Sequence, residues 1–291
     1  STHSPAILDA LNLDDEENDV LLAVDRNLDG HTRAKRIRKP WQSFERTTRL
    51  SELFLKGHIG GLPRNFYHMT TFALITEGIT DQIMIEYILN GLIKDEVFIN
   101  PIHPPRDANN DCKVAKGKFS NWESVIQFLK SQEILTAIQN TNSDFVVIQI
   151  DTDMGEHKNF GLDLHDENRK YKPILTIVEE CIEKLKQSLP SNFPRDKLGK
   201  LLFAIPVLST ECWILSLRHF INKNKGYEHN NDTIKNCEDD LTQFLERQDS
   251  SFEKKCEVFK VLCKDFRKRK NIESVAQRTP CLQHFVNQVN A

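Results

Sequence analysis

The chain lacks any stretch long and apolar enough to cross a bilayer, and nothing near Ser1 resembles a secretory signal peptide, so neither a membrane span nor export is expected. Cysteine is sparse. The seven residues are scattered with no C-x-x-C pair, so neither a zinc site nor a disulfide framework is expected, and a reducing cytoplasm is the simplest setting. Positive charge is not in excess either: a formal net charge of −3 argues against a uniformly polycationic binder and leaves any nucleic-acid contact to a local basic patch. No G-x-x-x-x-G-K-[ST] phosphate loop occurs, so the chain cannot cradle ATP by itself. Internal repeats and low-complexity tracts are absent as well.

What remains is an ordinary globular balance. At 291 residues, with 39% hydrophobic and 28% charged, the chain has core enough for one large domain or two moderate ones. Three blocks are expected: 1–68, 69–222 and 223–291. In the first, Asp19–Val24 reads as a strand, Asn27–Gly30 as a turn and Leu50–Lys56 as a short helix. In the second, strands at Phe72–Thr76, Val97–Ile102, Phe145–Ile150 and Leu201–Val207 alternate with helices at about 80–93, 120–138, 172–189 and 210–221. That alternation predicts an α/β fold, a four-stranded mostly parallel sheet flanked by helices with right-handed crossovers. The clearest helix carries Ile174, Ile177, Val178, Cys181, Ile182, Leu185 and Leu189 on one face. The third block is polar and lysine-rich, helical from about 252 onward.

Acids mark the strand ends. The apolar run 145–150 exits into Asp151-Thr152-Asp153, whose i and i+2 carboxylates face one small volume if the extended geometry continues. Two like charges held that close repel unless a divalent cation lies between them, and such oxygen ligands suit Mg²⁺ or Mn²⁺; a solvated turn is the alternative. The first strand of the sheet runs into Glu77-Gly78-Ile79-Thr80-Asp81, where Gly78 permits a tight turn, Thr80 is a candidate N-cap and Asp81 suits a helix N-terminus. None of those local roles accounts for Glu77. The fourth strand leads to Ser209-Thr210-Glu211, in which Glu211 is either a ligand or merely a first-turn acid behind a Ser209 or Thr210 cap.

Strand–Glu-Gly-x-x-Asp–helix followed by a strand ending in Asp-x-Asp resembles the Toprim fold of topoisomerases, primases and the overcoming-lysogenization-defect (OLD) nucleases. The Ser-x-Glu at 209–211 is similar to the extra element of the OLD branch, and the resemblance covers about 72–221, with an unplaced loop at Pro104–Lys118. It implies metal-dependent phosphodiester hydrolysis with two Mg²⁺ or Mn²⁺ ions. Asp151 would bridge them, Glu77 and Asp81 would serve the first, and Asp153 and Glu211 the second, with Glu77 also able to move a proton. The first block, with Thr2-His3-Ser4-Pro5 and Leu50–Gly57, resembles the end of ABC-type ATPases related to SMC and RecF proteins. Without a phosphate loop that block would be a remnant, and an ABC-type ATPase would be a partner or a missing N-terminal domain. The implied setting is bacterial anti-phage defence, with nucleic acid as substrate, DNA before RNA, and homo-oligomerisation through the ATPase.

Phosphate also needs positive charge. Lys264–Lys270 holds five basic residues in seven positions, with Lys254, Lys255 and Lys260 just before it. Phe252, Phe259, Leu262 and Phe266 form a stripe that would dock this helix, and Lys264 beside the seam is the expected phosphate-facing lysine, a role the OLD resemblance also implies. A solvated charged helix is the other reading of the segment. A receiver domain and an Asp-x-Asp phosphatase fit less well, because each orders its acids differently along the strands. A catalytically silent Toprim module that binds a partner ATPase or nucleic acid is the alternative from another functional class.

Overall fold

The computed structural model describes residues 21–26, 32–37 and 70–291, the last range apart from 96, 108, 109, 119, 142, 223–236 and 248–251. The chain divides into two compact units, Ser1–Met69 and Thr70–Ala291. In the first, β1 (Leu21–Arg26) pairs antiparallel with β2 (Thr32–Ile37), Leu21 opposite Ile37. The strand expected over Asp19–Val24 is seen from Leu21 and runs on to Arg26, Asp19 and Val20 lie outside the described residues, and no partner strand was expected. His3, the expected turn at 27–30 and the expected helix at 50–56 lie outside the described residues.

The second unit is built on β3 (Thr70–Ile75), β4 (Val97–His103), β7 (Phe145–Gln149) and β8 (Leu201–Ala204), all parallel in the order β4-β3-β7-β8. Helices cover both faces, so the inner strands lose their alternation: Ala73, Leu74, Ile75, Val147 and Ile148 are all fully buried. β4 is an edge, partly exposed, and tolerates Pro101 there. At the opposite edge Gln288 accepts from the Phe203 backbone N–H at 2.9 Å and donates to its carbonyl at 3.0 Å. One side-chain amide thereby satisfies backbone groups that would otherwise invite another strand.

The connections are helical. α1 (Ile79–Leu92) follows β3, and the previously unplaced loop at 104–118 contains a small hairpin of β5 (Arg106–Asp107) and β6 (Asn110–Val114). The helix expected over 120–138 is two, α2 (Trp122–Lys130) and α3 (Glu133–Thr141). Ser131 explains the break: its hydroxyl donates to the Phe128 carbonyl and accepts from the Glu133 N–H, ending one helix and starting the next. α4 (Ile174–Gln187) buries the expected apolar face, and the short α5 (Arg195–Leu198) leads into β8.

The region after β8 is α6 (Glu211–Ile221), α7 (Cys237–Glu246), α8 (Cys256–Cys263), a 3₁₀ turn (Lys264–Arg267), α9 (Arg269–Ala276) and α10 (Pro280–Asn290). Its described residues belong to the same compact unit as the sheet rather than to a third one. Phe259 and Phe266 are fully buried, as the stripe required. Gly91 makes the close approach feasible, since a Cβ there would collide with the Phe266 carbonyl, and Arg269 donates to the Leu92 carbonyl at the end of α1 at 2.7 Å. The expectation of no disulfides is corrected: Cys112 is bonded to Cys256 and Cys212 to Cys237, pairs separated by 144 and 25 residues that only the fold brings together. Among the described residues no helix is long and apolar enough to cross a membrane.

Candidate metal centre

The chain leaves β3 toward β4 on one side and returns as β7 on the other, so the loops after these two neighbours diverge and open a crevice at their carboxyl ends. Glu77 follows β3 into that crevice and Asp151 follows β7. They are locked together: the Asp151 backbone N–H donates to Glu77 Oε1 at 2.6 Å. Gln149, fully buried at the end of β7, accepts from the Glu77 N–H at 3.0 Å and donates to Asp151 Oδ1 at 2.8 Å. A single polar residue within an otherwise apolar strand therefore ties the Glu77 backbone to the Asp151 carboxylate.

Asp81 lies in the first turn of α1, 7% exposed, and accepts at 2.8 Å from the Thr210 hydroxyl. That bond decides the standing of Glu211. Thr210 makes no side-chain cap to α6, so the capping explanation fails, and Glu211 is 2% exposed with its Oε2 left without a partner. Thr80 is likewise no cap; Gly78 occupies that position without a side chain to offer. The loop bearing Glu211 is held to the loop bearing Asp151 and Asp153 through Leu208, whose φ of 66° lies in the left-handed region. Its N–H donates to Thr152 Oγ1 at 2.8 Å and its carbonyl accepts from the Thr152 and Asp153 N–H groups at 2.9 and 3.0 Å. Three bonds thus hold a conformation that a leucine adopts only at a cost of ~1–3 kcal/mol.

Five of the residues anticipated from strand ends, Glu77, Asp81, Asp151, Asp153 and Glu211, therefore gather at one crevice, with Asp153 at its exposed rim. Their charges are felt mutually. Burial, then Asp81 and Asp153, push Glu77 up to about 8 against the Asp151 N–H that lowers it. Burial and then Glu211 push Asp81 up to about 7 against the Thr210 hydrogen bond. Asp151 is raised well above the carboxylate range by burial and by Glu77, Asp81, Glu211 and Asp153.

The sixth residue, Lys264, is not brought there. It is exposed on the 3₁₀ turn, because α8 stops at Cys263 and the helical register that put Lys264 beside the seam ends with it. The lysine in the crevice is Lys254, whose Nζ lies 3.1 Å from Glu211 Oε1 and 2.9 Å from Glu238 Oε2. Burial alone would lower its pKa, but these two carboxylates outweigh it and raise it. Glu238, on α7, had no sequence signal, because it reaches the site only through the packing of the C-terminal helices.

The donor set is all oxygen, which suits a hard divalent cation, and the orphaned Glu211 Oε2 is a buried acceptor still wanting a partner. A Cβ on Gly78 would stand 3.0 Å from Asp81 Oδ2, so glycine keeps that side of the crevice open. Lys254 alone does not balance five acids. Among the described residues the only three potential ligands with donor atoms within 4.8 Å of one another are Cys112, Cys256 and Glu257, two of them spent in a disulfide. No three of the crevice carboxylates bring their oxygens that close together. Comparisons with models of known protein families, with curated proteins and with solved structures return no match.

Proposed function

We propose that the chain is a Mg²⁺- or Mn²⁺-dependent nuclease, its 70–291 unit a Toprim domain of the OLD type that hydrolyses phosphodiesters in nucleic acid. The observation that carries this reading is the gathering of Glu77, Asp81, Asp151, Asp153 and Glu211 from three strand ends at one switch-point crevice, with a buried unpaired oxygen on Glu211. Glu77, Asp81 and Asp151 would hold one ion, and Asp151, Asp153 and Glu211 a second. Bound divalent ions supply Lewis acidity, lowering the pKa of water and stabilising charge on phosphoryl oxygens.

The chain's own residues supply the rest. The Asp151 N–H holds the Glu77 carboxylate and Gln149 holds the Glu77 backbone N–H, which positions a carboxylate able to move a proton at the crevice. Thr210 fixes Asp81. Lys254, tethered between Glu211 and Glu238, places an ammonium where a phosphate oxygen would meet it and takes the role first expected of Lys264.

The wider reading is a cytoplasmic enzyme of anti-phage defence, acting on DNA before RNA. An ABC-type ATPase, related to the first unit, would be its regulator and the source of any homo-oligomer. In a cytoplasm the two disulfides would be open to reduction. The test is cleavage of plasmid DNA and of tRNA by the full chain with Mg²⁺, Mn²⁺ or EDTA. Cleavage that requires the metal and is lost in Asp151→Asn supports the reading. A folded, metal-binding chain that cuts neither substrate is the silent module instead.

A further inference from the structure

Beside the acid crevice lies a groove of about 390 Å³ that neither metal nor chemistry needs. It adjoins the crevice at two points, since Gly78 follows Glu77 directly and Lys254 lines both. Its lining carries three lysines and one carboxylate. Lys113 on β6 stands on one wall and Lys255, with Lys254, on the other, against the one carboxylate of Glu257. Lys113 is exposed and makes no ion pair among the described residues, and Lys255 pairs with its near neighbour Glu253. Ile79 and Val114 give the lining apolar surface beside the polar Thr80 and Ser120.

The walls are joined covalently, because the Cys112–Cys256 disulfide ties the strand carrying Lys113 to the segment carrying Lys255. A preformed groove loses little ordering free energy when something enters it. Its volume is at the low end for small-ligand sites and has room for about one nucleotide, far too little for a duplex. An acid crevice passing directly into a lysine-lined, partly apolar groove matches a strand that lays one phosphate at the acids and the next at the lysines.

We propose that this groove seats the nucleotide adjoining the scissile phosphate on an unpaired strand, with Lys113 and Lys255 holding its backbone and Ile79 and Val114 packing against its sugar or base. The proposal rests on the nuclease reading and names the form of substrate which that site takes. Each lysine then accounts for about one phosphate contact, a slope of about 0.7 in log K against log salt for a single strand, or about fourfold in affinity at physiological salt.

The test is fluorescence anisotropy of a labelled oligothymidylate on the full chain, with Ca²⁺ as the divalent ion, across a salt series. Lys113→Ala and Lys255→Ala should each weaken binding about fourfold and reduce the slope by about 0.7, while Lys197→Ala, on α5 at the far end of β8, should do neither. Unchanged slopes in both groove variants overturn the proposal, and so does a blunt duplex that competes as well as the single strand. Hydrolysis of bis(4-nitrophenyl) phosphate, too small to span crevice and groove, separates the two ideas. If the wild type turns over neither substrate, the nuclease reading fails while the salt slopes still decide the groove. If both variants lose small-diester turnover as severely as oligonucleotide cleavage, the lysines act at the reacting centre and the groove assignment is wrong.

Discussion

Neutralising Glu77 should change how the metal-free chain responds to pH, and the size of the change follows from the crevice. Glu77 is pushed up to about 8 and Asp81 to about 7 in the folded chain, each by burial first and by a neighbouring carboxylate next. Unfolded, they titrate near ~4.3 and ~3.9. Asp151 is raised as well, so between about pH 5 and pH 7 the folded state holds at least two protons that the unfolded state has released, and unfolding free energy falls as pH rises. Glu77 and Asp81 by themselves give a fall of about 3 kcal/mol per pH unit. Against a usual total of ~5–15 kcal/mol this is a large fraction.

Glu77→Gln removes one of these groups while its amide oxygen can still accept from the Asp151 N–H, so the slope should become shallower by about 1 kcal/mol per pH unit. Saturating Mg²⁺ or Mn²⁺ should flatten the wild-type profile, since the ion binds only the folded state and displaces the same protons. Urea unfolding in EDTA at a series of pH values measures all three. A wild-type profile that is flat or rises with pH, or a Glu77→Gln slope equal to the wild type's, would refute the account of the crevice as a set of mutually repelling buried acids.

Glu211→Gln should abolish cleavage with little change in melting temperature, because no cap is lost at α6; a variant that cuts at the wild-type rate would return Glu211 to a merely local role. Lys254→Ala should depress cleavage far more than Lys264→Ala, and equal losses would mean that the basic segment acts as a diffuse patch. Thr152→Val keeps the shape of the side chain but removes the acceptor for the Leu208 N–H, so chemical denaturation should register a loss of ~1–3 kcal/mol, and an unchanged midpoint would show that the left-handed loop is held some other way. A chain trimmed to 70–291 should unfold cooperatively by circular dichroism and bind Mg²⁺ as the full chain does; failure to fold would make the first unit part of the same core.

Why the acids were legible and the lysine was not has a physical reason. A strand covered on both faces announces itself as an apolar run, and parallel strands all end at one side, so acids placed at run ends must share a neighbourhood wherever the strands lie in the sheet. Glu77, Asp151 and Glu211 could be paired up in that way although 74 and 60 residues separate them. The helix boundaries were legible within a turn where an apolar face was long, as in α4, and failed where a single hydroxyl cut the pattern, as Ser131 does between α2 and α3.

No such rule fixes where a side chain from the C-terminal helices arrives. Lys254 and Lys264 are equivalent as sequence, both basic and both close to the phenylalanine stripe; what separates them is that α8 stops at Cys263 and that the chain before it is stitched to β6 through Cys112. The same stitch builds the groove next to the acids. Lys254 is thus part of two surfaces, drawn to Glu211 and Glu238 on one side and facing the lysine-lined groove on the other. A cation placed at that boundary repels a second cation in the groove and attracts a phosphate from either side, so a strand entering there is led toward the acids.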